Sequence, residues 1–348
     1  MGTRSFDAHA IGSRATSRRR LVGIGAGLAA GYVLGGRAAL AQDATPGATP
    51  ADGWFFTDDK GVTVELDAFP ERLAVDVNAA AALWDFGIRP GAVFGWNATD
   101  TGDFGPAGGN VDPSQVEVVG VTAEPIQLEK LIAFDPDLTI TISWTPDNPD
   151  DYWSIDPEIL PQVREIAPLL ALSATGSADV NTERFAELAA ALGADLDTPE
   201  LAEARARYEQ AIADLEATAA EQSDLQVLFL YVDDVELYIA NPPDWADLNF
   251  YVAKGVNAIV PDAEPLSFWE QLSLEQALKY PSDVIMISSR PGAKSPEDLA
   301  SHPTFSAHPA VQAGQAFAWN QDFIQSYQGM ADAIEHLVEV LAGSEKVI

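Results

Sequence analysis

Gln127-Leu128-Glu129-Lys130-Leu131-Ile132-Ala133-Phe134-Asp135-Pro136-Asp137 runs directly into Leu138-Thr139-Ile140-Thr141-Ile142-Ser143-Trp144. This is a Leu-Glu pair, an apolar helical turn, a proline, an aspartate and then a hydrophobic strand. The pattern returns at Leu272-Ser273-Leu274-Glu275-Gln276-Ala277-Leu278-Lys279-Tyr280-Pro281-Ser282-Asp283, which leads into the strand 284–288. Around the first copy, strands are predicted at 73–77, 92–96, 116–119, 138–144 and 167–172, with helices at 78–86, 127–134 and 157–166. Around the second, strands fall at 227–232, 236–240, 284–288 and 316–319, with helices at 245–254, 274–279 and 327–341. Short apolar strands alternating with helices predict parallel-sheet α/β architecture, here in two series. A hairpin over 54–66, turned at Asp58-Asp59-Lys60-Gly61, precedes them.

Between the two series lies a helical stretch. Residues 179–192 carry apolar positions at Val180, Phe185, Leu188, Ala189 and Leu192 and stop at Gly193. A second helix opens on Thr198-Pro199-Glu200, an N-cap followed by proline in the first turn, and runs to about 222. The expected organisation is an N-terminal α/β lobe over 54–177, a connecting helix over 178–193 and a C-terminal α/β lobe over 194–348. A length of 348 residues agrees with two lobes rather than one.

Residues 1–41 stand apart. They hold six of the 19 basic residues and a single acid, Asp7. Ser17-Arg18-Arg19-Arg20-Leu21 resembles a twin-arginine export signal, followed by a weakly apolar run and by Ala39-Leu40-Ala41, a small-x-small cleavage pattern. An apolar run of about 14 residues is too short to span a bilayer. Residues 42–53, rich in Ala, Thr, Pro and Gly, read as a flexible linker. Without 1–41 the chain keeps 13 basic and 52 acidic residues, a net charge of −39 against −34 for the whole sequence. That charge repels phosphate backbones and excludes nucleic-acid binding. It fits either a solvated acidic surface or a field that attracts cations.

The absence of cysteine removes disulfides, thiolate metal sites, cysteine nucleophiles and an acylated lipoprotein anchor. The histidines outside the leader, His302, His308 and His336, read as loop or surface residues, and no metal site is expected. No Gly-x-Ser-x-Gly elbow, His-Glu-x-x-His or phosphate loop appears, so no catalytic residues are assigned. Aromatic residues are better placed. Ligands of α/β sheets sit beyond the C-terminal ends of the strands. Trp96 follows one such strand and Trp144 ends another, with Tyr152 and Trp153 in the loop after it. In the second series Tyr231 closes a strand, Trp269 lies in a loop, Trp319 ends the last strand, and Phe323 and Tyr327 follow. A single tryptophan is usually core, but four at strand exits point to a large, partly apolar ligand held by stacking. Trp84 reads as core. Arg290, in Ser288-Ser289-Arg290-Pro291-Gly292, is the cation at a strand exit of the second lobe, either salt-bridged or gripping a ligand oxygen. Glu129 and Glu275 occupy the same place in the two echoed segments, where a carboxylate also complements a helix dipole.

In these segments the chain resembles the ABC-transporter substrate-binding proteins of the class that carries ferric siderophores, haem or cobalamin. The stretches that carry the resemblance are Phe56–Gly61 with Pro70–Val75, Leu83–Pro90, Leu128–Leu138, Ala167–Leu169, Leu274–Asp283, and Pro309–Trp319 with Ser326–Met330. It covers about residues 54–342. The resemblance implies a class III fold, two Rossmann-like α/β lobes joined by one rigid long helix, with ligand in a shallow cleft between them. It implies no cofactor, an iron(III)–siderophore complex as ligand, and docking on an ABC permease through one glutamate per lobe, Glu129 and Glu275 here. One departure is visible. Hydroxamate-siderophore binders often carry an arginine just before the Glu-Pro that precedes the first docking helix, and Val121-Thr122-Ala123-Glu124-Pro125 has none. Either Arg290 substitutes, or the ligand is neutral or cationic.

The expectation is therefore an exported, extracytoplasmic, monomeric binding protein for iron uptake, with no enzymatic activity. Trp96, Trp144, Trp269 and Trp319 would stack on the ligand, Tyr152, Tyr231 and Tyr327 would line the cleft, and Arg290 would anchor an oxygen. The rivals are a cobalamin or haem carrier of the same fold, a bare metal-ion receptor and a secreted carboxylate-based hydrolase.

Overall fold

The structure is a computed structural model that describes residues 53–348. The expected export signal over 1–41, and the linker over 42–53 apart from Gly53, lie outside the described residues. β1 (Trp54–Thr57) and β2 (Thr63–Leu66) form the hairpin expected at the start. Its turn is held by Asp58, whose Oδ1 accepts from the N–H of Lys60 and of Val62 at 2.9 and 2.8 Å. Asp58 Oδ2 also accepts from the Ala171 N–H at 3.1 Å, which ties the hairpin to the first sheet.

The first lobe contains β3 (Leu73–Asp76), α1 (Val77–Asp85), β4 (Ala92–Phe94), β5 (Glu117–Val118), α2 (Leu128–Phe134), β6 (Leu138–Ser143), α3 (Leu160–Ile166) and β7 (Leu169–Ser173). Its five strands lie in the order β5-β4-β3-β6-β7, every pair parallel. Leu138–Ser143 is buried at every position, its hydroxyl residues Thr139, Thr141 and Ser143 included, as expected of a central strand in a parallel sheet covered on both faces. α4 (Ala178–Ala191) and α5 (Pro199–Glu221) come next. α4 touches α1 and β7 of the first lobe, and it also packs on two helices of the second, Ala246–Ala253 and Tyr327–Gly343.

The second lobe contains β8 (Val227–Val232), β9 (Glu236–Ala240), α6 (Ala246–Ala253), β10 (Trp269–Ser273), β11 (Val284–Ser288), α7 (Pro296–Ser301), α8 (Pro309–Gln312), β12 (Ala316–Trp319) and α9 (Tyr327–Gly343). Its strand order, β10-β9-β8-β11-β12, is that of the first sheet moved along by five. The two lobes thus repeat one topology, and the fold is the class III arrangement of two α/β lobes. The sheet is mixed rather than all parallel, because β9 runs antiparallel to β8 and β10. Only residues 233–235 join β8 to β9, and so short a link can serve only a hairpin.

Two local expectations need correction. Trp269 is not in a loop: it opens β10, paired with Ala240. The helix expected over 274–279 is one 3-10 turn, Leu274–Gln276, closed by a capping box between Ser273 and Gln276.

A candidate ligand cleft lined by aromatic rings

Alternation along β8 separates two surfaces. Leu228, Leu230 and Val232 enter the core beneath α7 and α8, with Leu299, Phe305 and Ala310. Phe229 and Tyr231 take the other face. There Phe229 meets Trp319 edge to face at 5.4 Å, and Tyr231 meets Tyr238 at 6.0 Å. Tyr238 leads to Trp269 at 6.2 Å, and Trp269 to Trp319 at 6.3 Å. Trp245, preceding α6, sits at the centre of this group, 4.9 Å from Trp269, 5.8 Å from Trp319 and 5.5 Å from Phe268.

The first lobe presents a smaller group. Trp153 lies 6.4 Å from Trp96 and 5.9 Å from Trp144. Trp144 then crosses to the second lobe, meeting Trp245 at 5.3 Å and Phe268 at 5.7 Å, both edge to face. The rings therefore form one continuous surface shared by both lobes. Trp144, Trp245 and Trp319 are buried, whereas Trp96, Trp153, Tyr231 and Trp269 are partly open to solvent.

Buried polar groups hold the rings in place. Asp76 ends β3 and caps α1 through the Asn78 N–H at 3.0 Å; its other oxygen accepts from Ser154 Oγ at 2.6 Å. Ser154 Oγ also accepts from the Trp96 N–H at 3.3 Å, so one carboxylate fixes both segments that carry Trp96 and Trp153. Gly95, at φ 129°, passes so close to Asp76 that a Cβ would collide with the carboxylate. In the second lobe Asp244 accepts from the N–H of Leu266 and of Phe268, each at 3.1 Å, and from Asn241 Nδ2 at 2.7 Å. These bonds hold Leu266 and Phe268 at φ 63° and 62°, a region costly for residues with a side chain. Trp245 Nε1 donates to the Phe268 carbonyl at 2.9 Å, and Trp319 Nε1 to Asp247 Oδ2 at 2.7 Å. Burial pushes the carboxyls of Asp76 and Asp247 up to about 7, against the hydrogen bonds each receives.

The sequence-predicted residues separate into two sets. Trp96, Trp144, Trp269, Trp319 and Tyr231 meet on the shared surface. Tyr152 does not: it is 3% exposed and packs in the first lobe's core with Ile155, Leu160 and Val163, because its neighbour Trp153 takes the cleft side. Tyr327 does not either. It is enclosed between Phe86 and Tyr208 at 5.2 and 5.8 Å, and its hydroxyl donates to Glu183. Arg290 is engaged, its Nε 2.8 Å from Asp322 Oδ2 and its Nη2 bonded to the other oxygen of the same carboxylate. Trp153, Tyr238, Trp245, Phe268 and the supporting aspartates were not assigned from the sequence. Trp153 had the signal of alternation with Tyr152; for Asp76 and Asp247 no signal distinguishes them among 53 acids.

Other features lie away from this surface. His308 is fully buried and structural, its Nδ1 accepting from the Ala310 N–H and its Nε2 facing the Tyr280 carbonyl. A concavity of about 740 Å³ opens elsewhere, between Trp84, Arg89, Leu192, Leu201 and Tyr327. Among the described residues, no group of three or more acids or histidines gathers to hold a metal ion, and no helix is long and apolar enough to cross a membrane.

Glu129 lies in the first turn of α2 and Glu275 in the 3-10 turn after β10, both exposed. Each sits between the third and fourth strands of its lobe, which are the edge strand β5 or β10 and the inner strand β6 or β11. They therefore occupy equivalent places in the repeated topology.

The model of the periplasmic binding protein family matches residues 105–323, more than half the chain. The chain belongs to that family. No curated protein matches it. The binding protein is similar, at 31% identity with a TM-score of 0.79, to DesE, a ferric-siderophore receptor protein from Streptomyces coelicolor; the match covers 85% of this chain and 100% of that one. It shares its fold with FeuA from Bacillus subtilis, a triscatecholate siderophore binding protein (16% identity, TM-score 0.61, 81% and 96% covered). It also shares it with the siderophore binding protein FhuD from Vibrio cholerae (17% identity, TM-score 0.54, 78% and 98% covered). The resemblance read from the sequence is thereby borne out, and the family is one of binding proteins.

Proposed function

We propose that this binding protein captures a ferric siderophore in the cleft between its lobes and delivers it to the permease of an ABC importer. The observation that carries the reading is the continuous aromatic surface to which both lobes contribute, in a chain related over 85% of its length to a ferric-siderophore receptor. Open ring faces beside a buried, hydrogen-bonded base suit a large organic chelate, whose ligand shell rather than bare iron meets the protein. Iron is cargo, and no cofactor is involved.

In this reading α4 is the connector between a lobe over 54–177 and a lobe over 194–348, and the segment over 178–193 sets their spacing. The protein works as a monomer outside the cytoplasmic membrane after export through the twin-arginine signal over 1–41. Glu129 and Glu275, at equivalent places on the two lobes, supply two carboxylates to permease arginines. A hydrogen bond from Ser273 holds the Glu275 carboxyl below the usual range, so it stays charged for that contact.

A haem carrier is disfavoured by the same geometry. Burial raises the Tyr231 phenol, which opposes a tyrosinate ligand, and His308, the one histidine fully enclosed among the described residues, serves as a cap. Tryptophan fluorescence titration with ferrioxamine B, ferrichrome, haem and cobalamin tests the reading. Quenching by an iron chelate at submicromolar concentration is expected; quenching only by haem or cobalamin would overturn the siderophore assignment. For docking, Glu129→Ala with Glu275→Ala is expected to abolish cellular uptake while chelate affinity stays unchanged. Retained uptake, or lost affinity, would overturn the docking role.

A further inference from the structure

We propose that the cleft selects its chelate by charge, accepting neutral and cationic iron complexes and rejecting complexes of high negative charge such as tris-catecholates. The inference rests on the siderophore reading above and adds the charge class of the ligand.

The segments that leave the C-terminal ends of the parallel strands surround the cleft. They are residues 95–116, 119–127, 144–159, 174–177, 233–235, 289–295 and 320–326. Together they hold twelve acids and two bases, Arg290 and Lys294. Both bases are already neutralised. The Arg290 fork closes on the two oxygens of Asp322, with the arginine side chain 16% exposed and the aspartate 6%. Lys294 pairs with Asp234. Lys60 reaches the same end of the first lobe from the β1–β2 turn. Its ammonium is enclosed by Ser143 Oγ at 3.4 Å and the carbonyls of Pro146, Asn148 and Asp151 at 3.3, 2.5 and 3.2 Å. Its role is to hold the loop that presents Trp153.

A trianionic complex entering this cleft would lose water without gaining a free cation. To recruit Arg290 it would have to break the two-point pairing with Asp322. A neutral complex meets no such penalty. A complex with an ammonium tail gains from the acidic rim and from the partly exposed rings of Trp153 and Trp269.

Calorimetric titration of the full chain with a charge series tests this: ferrioxamine B as a cation, ferrioxamine E as a neutral complex and ferric enterobactin as a trianion. The first two are expected to bind at least about 100-fold more tightly than the third. Asp322→Asn, which leaves the Arg290 charge uncompensated, is expected to narrow that ratio about tenfold or more by helping the trianion and hindering the cation. Where Asp322→Asn does not fold, Asp234→Asn, which frees Lys294 on the surface, is expected to narrow it in the same sense. Equal or tighter binding of ferric enterobactin by the wild type would overturn charge selection while leaving the siderophore role intact. An unchanged ratio in the folded variant would overturn it too. Failure of all three complexes to bind would remove the siderophore role, and the charge class with it.

Discussion

At the residue scale, the cleft depends on carboxylates that the sequence does not single out. Asp76 and Asp247 are fully enclosed, one in each lobe, and burial brings both to about 7, above the ordinary value of 3.8. The native state therefore takes up protons between about pH 4 and 7 that the unfolded chain does not. The stabilising contribution of protonation is complete below pH 4 and is lost as pH rises through 7, at a cost on the order of 4 kcal/mol per group at most. Asp247→Asn mimics the protonated acid and keeps an acceptor for Trp319 Nε1. Its urea midpoint is expected to exceed that of the wild type at pH 8 and to match or fall below it at pH 5. An equal difference at both pH values would contradict the burial of a titrating group. Trp96, Trp144 and Trp319 were legible at strand exits, because strand ends can be read from apolar runs; Trp269 opens a strand that was not. Tyr152 and Tyr327 were not, because one residue of alternation and the packing of α5 on α9 decide where each ring goes. Arg290 shows the same limit. Its position was readable, but its partner Asp322 comes from another strand exit that only the β11–β12 pairing brings alongside.

At the element scale, local signals placed most boundaries. Strands 227–232, 236–240, 284–288 and 316–319 match at both ends, since each is an apolar run bounded by polar or turn residues. Thr198 caps α5 as its Thr-Pro-Glu sequence implied, Oγ1 accepting from the Leu201 N–H at 3.2 Å. Thr198→Ala is expected to cost about 1 kcal/mol in chemical denaturation, with ligand affinity unchanged. β10 was missed because Trp269-Glu-Gln-Leu-Ser has a single buried position, Leu272, and is a strand only because β9 offers a free edge. The bridge from Trp144 to Trp245 and Phe268 is likewise tertiary. Trp144→Ala is expected to destabilise the fold by about 3–5 kcal/mol and to weaken chelate binding, because one side chain fills a core and joins the two aromatic groups. Destabilisation without any change in affinity would remove Trp144 from the ligand surface.

At the scale of the whole molecule, two lobes of one topology bring their strand exits face to face across a surface of indole and phenol rings. On the proposal above, charge shapes what that surface receives. The excess of acids is not confined to the solvated exterior: it includes the rim of the cleft and the partners of both bases there. The equivalent glutamates Glu129 and Glu275 follow from the same repetition, and their echo in the sequence was readable before the fold was known. The most direct test is the position of the iron. Crystals grown with ferrioxamine B and measured at the iron absorption edge are expected to show one anomalous peak between Trp96 and Trp153 of the first lobe and Tyr231 and Trp269 of the second. A peak in the concavity beside Trp84, Arg89 and Tyr327, or none at saturating chelate, would contradict a siderophore cleft between the lobes.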